Sequence, residues 1–284
     1  MIPTAFDYQR ATSIDDALVK LQAASGGKLI AGGHSLVPLM KLRLSEPSIL
    51  IDIARIPGLA GIKKIGDTIE IGAATVHHDV ATSSLLRDVC PLIAEAAASI
   101  GDQQVRNRGT LGGSLAHADP AADYPAVMLA LDAEIHIKGA SSTRISKART
   151  FFRGLFNVDL GPEEIITGVQ FTPIKSAAYA KLHQRASHFA IVGVAAALEI
   201  AGGVIKSARV GVTGATPSAK RLTGVEQQLT GAKAAAETIA AASKSAGADL
   251  EDINSDLHAS EDYRRAMIPV FTKRALAAAL ERAR

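Results

Sequence analysis

Two glycine pairs are the residues best suited to hold a ligand. The first lies in Ala31-Gly32-Gly33-His34-Ser35-Leu36, and the second in Thr110-Leu111-Gly112-Gly113-Ser114. Glycine has no Cβ, so the backbone turns sharply there and approaches other groups closely. The first pair follows an apolar run and precedes a helical pattern. A helix start points unpaired N–H groups outward, a setting that suits a pyrophosphate, and Ser35 adds a hydroxyl. In the second stretch Thr110 and Ser114 supply hydroxyls. Asp123, further on, is a short acceptor of the kind that binds ribose hydroxyls in dinucleotide sites. Local alternatives stay open: Gly32-Gly33 also fits a tight strand-to-helix turn, and Asp123 a helix N-cap before Tyr124-Pro125. Neither stretch reads GxGxxG or GxxxxGK[ST], so a Rossmann site or P-loop is not supported. Together the pairs suit a dinucleotide lying in a cleft.

Other reactive side chains point elsewhere. His77-His78-Asp79 suggests a metal, but adjacent helical histidines face different ways and rarely chelate together. His117 and Asp119 are read as positioning the second stretch. Arg106 and Arg108 either balance phosphate charge or hold the loop by hydrogen bonds. Cys90 precedes Pro91 at a helix start and reads as a buried structural thiol. No local motif assembles a Ser–His–Asp triad.

The elements that carry these residues follow from periodicity. Ser13 is expected to cap a helix bearing Ala17, Leu18 and Leu21. Lys28–Ala31 reads as a short buried strand. From Ser35 a helix is expected, with Leu36, Leu39, Met40 and Leu44 on one face. Ile49–Ile53 and Thr68–Gly72 read as strands, with Thr75 capping the helix after the second. Pro91 suits the first turn of a helix carrying Ile93, Ala97 and Ile100. Tyr124, Val127, Met128 and Leu131 define a helix, and Ala133–Lys138 a strand. The chain changes character near Thr172-Pro173-Ile174-Lys175. Beyond it, Ile191–Ala201 and Val204–Val212 form a hairpin through Gly202-Gly203. The alanine-rich run Ala232–Ala246 is expected to be helical. Ser260 caps a last helix with Tyr263, Met267, Val270 and Phe271 on one face and a bend or break at Pro269.

Bulk properties exclude several classes. A chain of 284 residues accommodates two domains. The excess of basic over acidic residues is only three, with no Lys/Arg run, so nucleic acid is not an expected partner. The single cysteine, Cys90, makes no internal disulfide and cannot by itself hold an iron–sulfur cluster, so a cytoplasmic location is expected. No apolar run spans a bilayer, and the N-terminal MIPTAFDYQRATS has no signal-like apolar region.

Longer stretches carry a family resemblance. AGGHSLVPLMKLRL, IEIGAATVHHDV, QQVRNRGTLGGSLAHADPAADYPAVMLALDAEI, and FFRGLF followed by EEIITGV resemble the medium subunit of carbon monoxide dehydrogenase. More distantly they are similar to the flavin domain of xanthine dehydrogenase. Order and spacing agree over essentially the whole chain. The resemblance implies an α+β, PCMH-like FAD fold of the vanillyl-alcohol-oxidase type over 1–175, with subdomains of about 1–56 and 57–175. It also implies a C-terminal α+β domain over 176–284 with a small antiparallel sheet. It places Gly32, Gly33, His34, Ser35, Leu36, Thr110, Leu111, Gly112, Gly113 and Ser114 around the FAD pyrophosphate, and Asp123 near the ribose. Ile165-Ile166 would touch the flavin ring. Lys181 would sit near the isoalloxazine, where a cation favours negative charge on the ring, although a solvated strand lysine fits equally. FAD is expected to be non-covalent, with His34 contributing mainly backbone. Partner subunits are expected to hold the molybdenum cofactor and two 2Fe-2S clusters, in a dimer of heterotrimers. Function is then electron relay through FAD to an external acceptor. A free-standing flavin oxidoreductase and a flavin-free scaffold are the alternatives.

Overall fold

The computed structural model describes residues 1–283. The chain opens with a small parallel unit. Strands β1 (Asp7–Arg10), β2 (Lys28–Ile30) and β3 (Ile49–Asp52) pair in the order β1-β3-β2, joined through helices α1 (Ile14–Ala23) and α2 (Leu36–Lys41). Ser13 caps α1 as expected: its hydroxyl accepts the Asp16 N–H at 3.0 Å, and Ala17, Leu18 and Leu21 are buried. Strand β2 is at the sheet edge, so its residues are exposed or half-buried rather than fully buried. Helix α2 stops at Lys41, and Leu44 lies beyond it, 71% exposed, instead of on the apolar face.

A five-stranded antiparallel sheet follows. It contains β4 (Ile62–Ile65), β5 (Thr68–Gly72), β6 (Glu134–Lys138) and β7 (Thr143–Lys147). After the short α9 (Ala148–Phe151) and the hairpin of β8 (Phe152–Gly154) and β9 (Asn157–Val158), β10 (Ile165–Phe171) enters its centre, giving the order β4-β5-β10-β6-β7. Between β5 and β6 run α3 (His77–Thr82), α4 (Ser84–Val89), α5 (Pro91–Ala98), α6 (Gln103–Arg106), α7 (Leu111–His117) and α8 (Tyr124–Leu131). Pro91 opens α5 with Ile93 and Ala97 buried. Thr75 does not cap α3. Its hydroxyl instead bonds the Gly61 backbone, and Val76 takes the cap position without a side-chain bond.

The C-terminal part is one antiparallel sheet, β11 (Ala177–His183), β12 (Ala190–Ala201), β13 (Val204–Thr213) and β14 (Lys220–Arg221), in sequence order. Gly202 and Gly203 have φ of 59° and 72°, which matches the hairpin turn expected between β12 and β13. The sheet is buried on both faces. Ala195 and Ala197 of β12 join the core shared with α5 and α8. Val194, Ala196 and Leu198 join a second core with α10 (Thr223–Leu229), α11 (Ala236–Ser243) and α12 (Glu261–Glu281). This sandwiching explains why every residue of α8 is buried rather than a stripe of four. Helix α11 is shorter than the alanine-rich run suggests, because propensity without an apolar stripe gives little to dock. Ser260 caps α12, accepting the Tyr263 N–H. The buried face of α12 includes Arg264, Ile268, Phe271 and Leu276, whereas Tyr263 and Val270 are exposed, and the helix continues through Pro269.

Candidate functional site

The first glycine stretch links β2 to α2, and its conformation follows from two glycines with different tasks. A Cβ on Gly32 would lie 2.3 Å from the Arg108 carbonyl oxygen, so this position carries the close crossing of the two stretches. Gly33 has φ +73°, the left-handed region that glycine tolerates. Val37 N–H returns to Gly33 O at 2.9 Å and starts the helix. Among the described residues, the backbone N–H groups of Gly32, Gly33, His34, Ser35 and Leu36 donate to no protein acceptor. Ser35 makes no side-chain cap. A row of free N–H groups before a helix is a ready anion cradle.

The second stretch is a helix start rather than a loop, and its donors are already engaged. Leu111 N–H donates to Thr75 O at 3.0 Å, and Gly112 N–H to Ala73 O at 2.8 Å. Gly113 N–H bonds the Thr110 hydroxyl at 3.1 Å, and Ser114 N–H bonds Thr110 O at 3.0 Å. Thr110 is thus the N-cap of α7. The backbone of this stretch therefore forms a wall of a cavity that Ser114 also lines.

That cavity has a volume of about 460 Å³, within the range of about 300–1,000 Å³ for cofactor sites. All the expected site residues except Leu111 and Lys181 line it. Leu111 is fully buried in the core. Ile165 and Ile166, the first residues of β10, form one wall; Glu164 before them is fixed by the Arg144 guanidinium, which also holds its carboxyl below the ordinary value. Ser187, His188 and Phe189 reach the cavity from the β11–β12 connection. They carry no motif, and sequence reasoning missed them. His77 also lines it, and burial pushes its pKa down to about 4. Arg106 is not aimed at the cavity's anion cradle: its guanidinium bonds Ile100 O at 3.0 Å and Gly101 O at 2.8 Å, the loop-holding alternative.

Asp123 and Lys181 are together, away from solvent. The ammonium lies 2.8 Å from the Asp123 carboxylate and 3.0 Å from Ser99 O; the two side chains are 5% and 4% exposed. Lys181 is therefore not a solvated strand lysine, and it meets the cavity only through Asp123. The Tyr179 hydroxyl donates to the same carboxylate at 2.6 Å. Asp123 occupies the N-cap position of α8 without a side-chain cap bond. Burial raises its pKa even with the ammonium beside it. The C-terminal sheet grips this segment further: Ala190 N–H donates to Ala121 O at 3.1 Å, Gly214 N–H to Pro120 O at 2.8 Å, and the Thr213 hydroxyl to Ala122 O at 2.7 Å. Cys90 is buried, which pushes its thiol up to about 11, as expected of a structural residue.

Comparison with known proteins places this geometry. Residues 4–173 match the FAD binding domain in molybdopterin dehydrogenase, and residues 177–279 match the CO dehydrogenase flavoprotein C-terminal domain. The chain is 39% identical to the carbon monoxide dehydrogenase medium chain of Hydrogenophaga pseudoflava, covering 99% of both chains. It is 40% identical to the 6-hydroxypseudooxynicotine dehydrogenase complex subunit alpha of Paenarthrobacter nicotinovorans, covering 100% of this chain and 97% of that one. A solved structure of carbon monoxide dehydrogenase from Hydrogenophaga pseudoflava superposes with a TM-score of 0.94 at 40% identity, again over 99% of both chains. The chain belongs to the FAD-binding medium subunits of the carbon monoxide dehydrogenase and xanthine dehydrogenase type of molybdenum hydroxylase.

Proposed function

We propose that the cavity between the two glycine stretches holds FAD non-covalently and that the chain relays electrons within a larger complex. The observation that carries this reading is the row of unengaged N–H groups from Gly32 to Leu36 on the cavity wall. They offer donors to a pyrophosphate, while Thr110, Gly112, Gly113 and Ser114 form the opposing surface. His34 contributes backbone. Asp123 offers a ribose hydroxyl the lone pair that Tyr179 and Lys181 leave free, and Lys181 acts by fixing Asp123. Ile165 and Ile166 present an apolar edge to the ring system. Bound FAD supplies a redox couple that accepts single electrons and passes them on; the protein binds, orients and shields it.

The proposed organisation is a PCMH-like fold of the vanillyl-alcohol-oxidase type over 1–175, with subdomains near 1–56 and 57–175, and a C-terminal domain over 176–284. The separate parallel sheet ending at Asp52 and the end of β10 at Phe171 support these limits. The partners are a large molybdenum-cofactor subunit and a small subunit with 2Fe-2S clusters, as a dimer of heterotrimers in the cytoplasm. Among the described residues no helix is long and apolar enough to cross a membrane. Relatives at 39% and 40% identity are named for different substrates, which supports substrate choice elsewhere in the complex. The test is stopped-flow reduction of the flavin. Substrate should reduce it in the assembled complex and not in the isolated chain. Direct reduction in the isolated chain would favour a free-standing oxidoreductase.

A further inference from the structure

We propose that His77 is a further FAD-binding residue, presenting its imidazole to the cofactor as a neutral hydrogen-bonding group. The inference rests on assigning the cavity to FAD. His77 opens α3 and lines the cavity, yet it is only 5% exposed. Among the described residues neither ring nitrogen hydrogen-bonds the protein, and Nδ1 is buried without a partner. Nδ1 is enclosed by protein, so Nε2 is the nitrogen left to a group in the cavity, and a partner there would supply a hydrogen bond that this buried ring otherwise lacks.

The surroundings hold the ring in place. A Cβ on Gly109 would lie 2.6 Å from Nε2, so the ring fills space that glycine leaves. The His77 backbone N–H donates to Gly109 O at 2.9 Å. On its other side the ring packs against Tyr124 with centroids 5.3 Å apart. Gly109 belongs to the backbone that Gly32 crosses, so His77 stands where both glycine stretches meet. Burial, then His34 and Arg106, hold the ring neutral, with a pKa of about 4. A neutral imidazole donates from one nitrogen and accepts at the other, and so bonds a dinucleotide oxygen or nitrogen without gaining a proton.

The test is equilibrium FAD binding to the full apo chain by flavin fluorescence, beside the apo melting temperature. His77→Leu should weaken FAD affinity about 5- to 150-fold. It should leave the apo melting temperature unchanged or higher, because it removes an orphaned buried polar group. His77→Gln, whose amide reaches about as far as Nε2, should recover most of the affinity. Unchanged affinity in His77→Leu overturns the proposal. Equal weakening in both variants with a lower apo melting temperature also overturns it, leaving a packing role. Should His77→Leu not fold, His77→Met replaces it in the same comparison with His77→Gln. Wild-type chain that takes up no FAD would instead overturn the cavity's assignment itself.

Discussion

Replacing Lys181 with methionine tests how the C-terminal sheet is tied to the cavity. Lys181→Met keeps the stem and deletes the ammonium that lies 2.8 Å from Asp123, leaving the carboxylate with the Tyr179 hydroxyl. Removing one partner of a buried ion pair costs ~3–5 kcal/mol. Protonation sets a ceiling. The stranded carboxyl escapes by taking a proton; from an ordinary value of 3.8, that costs ~4.4 kcal/mol at pH 7, at about 1.36 kcal/mol per pH unit. The expected loss at pH 7 is therefore at most ~4 kcal/mol. In the variant the folded chain keeps this proton, while the unfolded chain releases it above 3.8. Wild-type Asp123 also has a raised folded pKa, so both chains lose stability as pH rises through it; without the ammonium the variant's is raised further, so its deficit grows with pH. At pH 5 the ceiling drops to ~1.6 kcal/mol, and the deficit against wild type should shrink accordingly. Urea unfolding followed by far-ultraviolet circular dichroism at both pH values measures this. Adding Asp123→Asn to Lys181→Met should recover more than half of the pH 7 loss. A loss below ~1 kcal/mol, or one equal at both pH values, would refute a buried charge pair here.

Gly32→Ala should abolish FAD retention, because its Cβ would meet the Arg108 carbonyl at 2.3 Å and force the two stretches apart; flavin content after gel filtration checks this. Thr110→Ala removes the α7 cap at Gly113 and should cost ~1 kcal/mol in urea unfolding. Arg282→Ala breaks contacts with Glu95 and Ala177 O that join α12, α5 and β11, and should cost ~1–2 kcal/mol with FAD affinity unchanged.

Local signals were legible in the residues. Ser13 and Ser260 cap helices, Gly202-Gly203 turns a hairpin, and Gly32-Gly33 leads into α2, because each effect acts within a few residues. Contacts across the chain were not. Tyr179 and Lys181 reach Asp123 from a strand more than fifty residues away, and nothing local distinguishes a buried lysine from a solvated one. Thr75 reads as a cap by type, but tertiary folding gives its hydroxyl to Gly61. The buried face of α12 departs from the apolar spacing because polar Arg264 and Thr272 face inward; the Arg264 guanidinium bonds Ile191 O and Gly214 O. The α7 start looked like an open loop because Thr110 and Ser114 also suit a phosphate, while the acceptors that engage this backbone include Ala73 O and Thr75 O, far back in the chain.

The most direct test of the cavity assignment is flavin content. The visible spectrum of the purified full chain is recorded, flavin is released by acid precipitation, and its identity and amount are determined. Close to one FAD per chain is expected, wholly released by acid, with apo chain regaining the spectrum on adding FAD. A colourless chain that takes up no added FAD, alone or in the assembled complex, would contradict it.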